Sequence, residues 1–165
     1  MKKTPLKRTG FRKKPKSLKQ KQMAILDAMW STAIHCRDKG IDQYSWLALY
    51  KEKPGFDAHH IRGRTRFNTR WDTQNGILVM GRHHHNIPHM DPETFKMFLI
   101  EKWFKSQKTY DDLYARSMLK FNWDLSLTEI ALWQELKEYI IKPYNWGNMS
   151  YTAKLDYLRR KRKEV

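Results

Sequence analysis

The chain has 165 residues, 13% of them aromatic, and carries a net charge of +16 from 33 Lys and Arg against 17 Asp and Glu. That length supports one domain with a buried core and no covalent staples. The charge makes a polyanion the default partner, nucleic acid first. No apolar run approaches the roughly 18 residues of a spanning helix, which argues against a membrane protein. The single cysteine, Cys36, excludes an intrachain disulfide framework and a cysteine-rich zinc knuckle, and fits a reducing interior. The lysine-rich start lacks the apolar segment of a signal peptide, so the expected location is cytoplasmic.

Residues 1–22 hold ten Lys or Arg and no acid, with two prolines and a glycine. Such a stretch cannot pack alone and reads as a basic arm for nucleic-acid phosphates, against a plain solvated tail. Residues 23–165 read as one domain. From about Leu18 to Lys39, Leu26, Met29, Trp30, Ala33 and Cys36 recur at helical spacing, and Gly40 supplies a stop. Cys36 and His35 read as packing or surface residues. A short apolar segment, Tyr44 to Tyr50, precedes a turn at Pro54 and Gly55.

Phe56 to Ile61 and Ile77 to Met80 are β-rich runs able to pair antiparallel, with Arg62 to Asn75 as a long connecting loop. Loops of that length inside compact domains are usually functional. After Gly81 a short helix is expected, ended or distorted by Pro88. Strand, loop, strand and helix make a ββα unit over about 55–90. A helical extension follows over 91–165. Asp91 and Pro92 open a helix with Phe95, Phe98, Leu99 and Trp103 on one face, running to about Ser106. Another helix is expected near Tyr110 to Leu119. Ser126 with Glu129 suggests a capping box for a helix carrying Ile130, Trp133, Leu136 and Ile140, stopped before Pro143. A last helix from about Ser150 ends in Arg159, Arg160, Lys161, Arg162 and Lys163, read equally as a nucleic-acid contact and as a solvated terminus.

Six of the seven histidines lie between Phe56 and His89, far above an even spread, and that asks for a chemical reason. Imidazole is the commonest transition-metal ligand and the usual base near neutral pH. His59 and His60 form one group; His83, His84, His85 and His89 form the other. Between them lie Arg62, Arg64, Arg66 and Arg70, and Arg82 precedes the second group. Metal ligands flanking a phosphate-seeking loop point to a phosphodiester, with these arginines as DNA contacts. Adjacent strand residues face opposite ways, so one of His59 and His60 can bind a metal while the other accepts a proton. Downstream, His85 and His89 have the i, i+4 spacing of two ligands on one helix face, whereas His84 and His89 need a distortion. An imidazole shell favours one Zn²⁺, Ni²⁺ or Mn²⁺ per chain, with Mg²⁺ compatible with turnover. The competing reading is a metal site that only braces the hairpin of a binding module, or a basic protein holding nucleic acid through its tails.

The pattern His59-His60-Ile61, then Asn75, then His84 nine residues later, resembles the HNH nuclease motif of the ββα-metal fold. The stretch TRWDTQNGILVMGRHHH and the basic leader are similar to phage-borne HNH proteins of the NinG and Rap recombination type. The resemblance implies an α+β protein with a ββα-metal core wrapped by helices. It implies a metal-dependent DNA endonuclease leaving 5′-phosphate and 3′-hydroxyl ends, RNA being the less expected substrate. It places the general base at His60, the first metal ligand at His59, the residue that orients the base and fixes the loop at Asn75, and the helix-side ligand at His84, with His89 or His85 as a further ligand. The chain departs from the pattern in having His59 where many members have aspartate, and Met80 and His83 where a second cysteine pair would stand. The knuckle is therefore expected to be lost and His83 to be structural.

Overall fold

The computed structural model describes residues 15–44, 55–81, 88–120 and 124–164. Helix α1 spans Leu18–Asp38 and opens on a capping box in which Ser17 Oγ accepts from Gln20 N while the Gln20 side chain accepts from Ser17 N. It ends where Lys39 (φ 51°) and Gly40 (φ 64°) turn left-handed. Residues 18–22, read from sequence as part of the arm, thus belong to the first turns of α1. Strands β1 (Phe56–His60) and β2 (Gly76–Met80) pair antiparallel, with Phe56 opposite Met80 and His60 opposite Gly76. The connecting loop contains two 3₁₀ turns, Phe67–Thr69 and Thr73–Asn75.

Helix α2 (Pro92–Phe98) is capped by Asp91 with Pro92 in its first turn, as the sequence predicts, and continues through a π turn at Leu99–Trp103. Ser106 then caps α3 (Gln107–Met118). Helix α4 (Leu125–Leu136) departs from expectation. Its cap is Asp124, whose carboxylate accepts from Ser126 N and Leu127 N. Glu129 instead accepts from the Trp146 indole at 2.7 Å. The helix stops at Leu136, so Ile140 packs from the turn beyond it, and Ile130 is exposed. Helix α5 (Tyr151–Glu164) closes the order. The protein is therefore α+β, with five helices and one two-stranded sheet among the described residues. Among the described residues no helix is long and apolar enough to cross a membrane.

The hairpin separates two cores because successive strand residues face opposite ways. On one face Phe56, Ala58 and Leu78 pack with Leu26, Met29, Trp30 and Ile34 of α1, backed by α4 and α5. On the other, Ile77 and Val79 pack with Phe95 and Leu99. The outer edge of β2 is not left open: Asp38 Oδ2 accepts from Leu78 N at 2.9 Å and Leu78 O accepts from Gln43 N at 3.0 Å.

Gly76 fixes how closely β2 approaches α1. A Cβ there would sit 2.3 Å from Ile34 Cδ1 and 2.7 Å from Trp30 Cζ2, and both side chains are buried. Gly76→Ala should lower stability by about 1–3 kcal/mol through overpacking. Denaturant melts should show that adding Ile34→Ala costs less in the Gly76→Ala background than in the parent, because the two substitutions share one space. Simple additivity would mean the contact is not what limits the approach.

Candidate functional site

Helix α1 turns one face to the loop between the strands. Asp27, Trp30, Ile34 and Arg37 recur at helical spacing along it. The Asp27 carboxylate accepts from Arg70 Nε (2.9 Å) and Nη2 (2.8 Å), from the Trp71 indole (2.9 Å) and from Arg64 Nη2 (2.8 Å). Burial works to raise its pKa, but the bonds from Arg70 and Trp71 and the charges of Arg70 and Arg64 outweigh that and hold it below the usual carboxylate range. Trp30 Nε1 donates to Asp72 O at 3.0 Å, and Arg37 donates to Thr73 O and Gly76 O, both at 2.8 Å.

Asn75 holds the same loop from within. It is fully buried, its Oδ1 accepts from Arg62 N at 2.6 Å, and its Nδ2 donates to Arg62 O (2.9 Å) and Thr69 O (2.8 Å). From the far side α3 grips the loop: Arg62 Nε donates to Ser117 Oγ at 3.2 Å with its guanidinium 4.0 Å from the Tyr114 ring centre, and Asn68 Nδ2 donates to Arg116 O at 3.0 Å.

His60 is seated by this scaffold. Its ring stacks on Trp30 with centroids 3.7 Å apart and planes 15° apart, and its Nε2 lies 2.9 Å from Arg70 O. A carbonyl only accepts, so Nε2 carries the proton and Nδ1 keeps the lone pair. Burial, chiefly, pushes the pKa down to about 4; the Arg70 carbonyl bond raises it and the Arg64 charge lowers it further. The ring is therefore neutral near pH 7, and an ordinary histidine titration near 6.5 is not expected here.

His59 faces the other way, as strand alternation predicts. It is buried, edge-on to Phe95 (centroids 5.5 Å) and to His89 (5.6 Å). Two imidazoles on one ion, with metal–nitrogen bonds of about 2.0–2.1 Å, have ring centres roughly 5 Å apart at a tetrahedral angle. The 5.6 Å between the ring centres of His59 and His89 is of that order, which makes the two a candidate ligand pair. Among the described residues no group of three candidate ligands converges. His84 and His85, as well as His83 and Arg82, lie outside the described residues.

His59, His60 and His89 line one open cleft of about 680 Å³, with Asp27, Asp57 and Arg64 also on its wall. The arginines divide. Arg70 is 12% exposed and held by Asp27, and Arg62 is engaged by α3. Arg64 is 62% exposed while paired to Asp27, and Arg66 is exposed on the loop. Asp27 and Trp30 are the residues that sequence reasoning missed. Their signal was a carboxylate and an indole on the buried side of a predicted helix, but nothing in the sequence names their partners.

Asp27→Asn should therefore act at a distance from the strands. It removes the charge facing Arg64 and the nearly buried Arg70 and replaces an accepting oxygen with a donor. Denaturation should report a loss of at least about 2 kcal/mol, the scale of breaking a partly buried charge pair. A loss under about 0.5 kcal/mol, the size of an ordinary surface change, would mean the loop does not depend on this carboxylate.

No protein-family model, curated protein or solved structure matches the chain, so what the cleft does has to come from its own chemistry.

Proposed function

We propose that the chain is a metal-dependent DNA endonuclease of the HNH type, hydrolysing phosphodiester bonds to 5′-phosphate and 3′-hydroxyl ends. The observation that carries this is His60: a neutral imidazole with one nitrogen committed to Arg70 O, in the same cleft as His59 and His89. Phosphodiester hydrolysis needs a proton taken from water, charge supplied to the pentavalent phosphate and help for the leaving 3′-oxygen. His60 Nδ1 has the lone pair for the first task, and the stack on Trp30 fixes the ring plane. Asn75 and Asp27 act as positioning residues, since they hold the loop whose carbonyl orients that ring. Arg64, exposed on the cleft wall, can meet a phosphate oxygen.

His59 and His89, completed by His84 or His85, are the residues that would hold a divalent ion, with Zn²⁺, Ni²⁺ or Mn²⁺ suited to the imidazole set. When bound, such an ion supplies positive charge against the phosphate and the leaving oxygen. His60 and His59 lie on opposite faces of the strand, which supports giving the first the part of base and keeping it out of the ligand set. A metal that merely braced the hairpin would need neither a seated His60 nor a threefold-bonded Asn75.

Supercoiled plasmid incubated with metal-loaded protein should be nicked or cut, and His60→Ala should lower the rate by about 10²–10⁴ while metal content and DNA affinity hold. Intact supercoiled, linear and branched DNA under every metal would end the nuclease assignment. The pH profile follows from burial. The active form is the unprotonated ring and its pKa is near 4, so at saturating metal kcat/KM should be level from about pH 6 to 8 and fall only as pH drops toward 4. A tenfold rise between pH 6 and 7.5 would mean that the titrating base is a different group.

A further inference from the structure

Helix α5 lies along α1, with Tyr151, Leu155 and Leu158 packed into the α1 core. One turn past Leu158, on the same stripe, stands Arg162. Its Nη1 donates to Ser31 Oγ at 3.1 Å, and Ser31 lines the cleft that holds His59 and His60. The charge also reaches His35, whose pKa burial and Arg162 together bring to about 4. Of the five consecutive cations from Arg159 to Lys163, Arg159 pairs with Asp156 at 3.2 Å and Lys161 with Glu164 at 2.7 Å. Among the described residues Arg160, Arg162 and Lys163 have no carboxylate in ion-pair range. Arg160 and Lys163 are exposed and three apart, so they share one side of the helix.

Cations in the last turn suit the helix dipole, and that alone accounts for a basic terminus. It does not account for an arginine held by a hydroxyl on the wall of the cleft, with two further cations that no carboxylate pairs on the outer side of the same turn. Like charges this close repel one another, and a row of phosphates relieves that repulsion.

We propose that the end of α5 is a backbone-phosphate contact surface for the DNA occupying the cleft, with Arg162 at the cleft wall and Arg160 and Lys163 beyond it. The choice of DNA rests on the nuclease reading of the cleft. The contacts lie outside the site of bond cleavage, so the substrate extends past the scissile phosphate on the α5 side, and Arg64 stands on the loop side. A strand long enough to reach both is bound more tightly than a fragment spanning the cleft alone.

The test measures binding of metal-loaded protein to a short phosphorothioate duplex, which is read without cutting. Arg160→Gln/Lys163→Gln alters only exposed positions and keeps the fold, and Arg162→Gln is measured beside it. Lys108→Gln/Lys137→Gln removes equal charge from exposed positions on α3 and just past the end of α4 as the control. The α5 pair should weaken binding roughly tenfold at moderate salt and flatten the slope of log K against log salt by about 2, since each phosphate contact contributes about 0.9. Arg162→Gln should flatten it by about 1. Slopes unchanged from the parent, or an equal loss in the control, would overturn the assignment and leave α5 a solvated face. Cleavage by the parent, scored separately on plasmid, distinguishes the cases. A parent that binds through α5 without cutting DNA refutes the nuclease alone, and one that cuts DNA with α5-independent binding refutes the surface alone. A parent that neither binds nor cuts DNA refutes both.

Discussion

The carboxylate of Asp27 carries four donor contacts from three side chains, and the loop between the strands takes its shape from them. A charge buried that far must be paired, and so must the nearly buried Arg70. Each therefore confines the other: α1 cannot shift along the hairpin without unpairing both. The consequence travels one residue's backbone further, because the carbonyl of Arg70 is what His60 leans on. Asn75 closes the same loop from inside, tying Arg62 to Thr69 across it. A long loop is ordinarily the softest part of a small domain. This one is gripped by α1, by its own asparagine and by α3, which fixes the Arg70 carbonyl against His60.

The two cores give the adjacent histidines different surroundings. His60 lies on the α1 side, against an indole, where burial keeps it neutral. His59 lies on the α2 side, against Phe95 and His89. That difference in surroundings follows from the two-residue period of a strand and from which helix covers each face, and it is what the proposed division between proton acceptor and metal ligand draws on. Gly76, opposite His60 in register, is what lets α1 come close enough for Trp30 to reach that ring.

Much of this was legible in the sequence. The strands, their antiparallel pairing and the opposite facing of His59 and His60 follow from β-rich runs and alternation, and α1 and α2 follow from periodicity and from Asp91-Pro92. The start of α4 was misread because Asp124 and Ser126 are both competent caps. The choice between them depends on Trp146, which claims Glu129 from seventeen residues away. The roles of Asp27 and Trp30 were illegible for a similar reason, since a helix pattern gives the face but not the partners. The lowered pKa of His60 was illegible as well, because it is set chiefly by burial against α1, a tertiary contact that the local sequence does not encode.

The central claim is that His60 is a neutral imidazole with its proton on Nε2 and its lone pair on Nδ1. Nitrogen chemical shifts of ¹⁵N-histidine-labelled protein, assigned through His60→Gln and followed from pH 4 to 8, measure this directly. The account predicts a protonated Nε2 and a bare Nδ1 throughout the neutral range, with titration only near pH 4. A proton on Nδ1, or a cationic ring at pH 6.5, would contradict it.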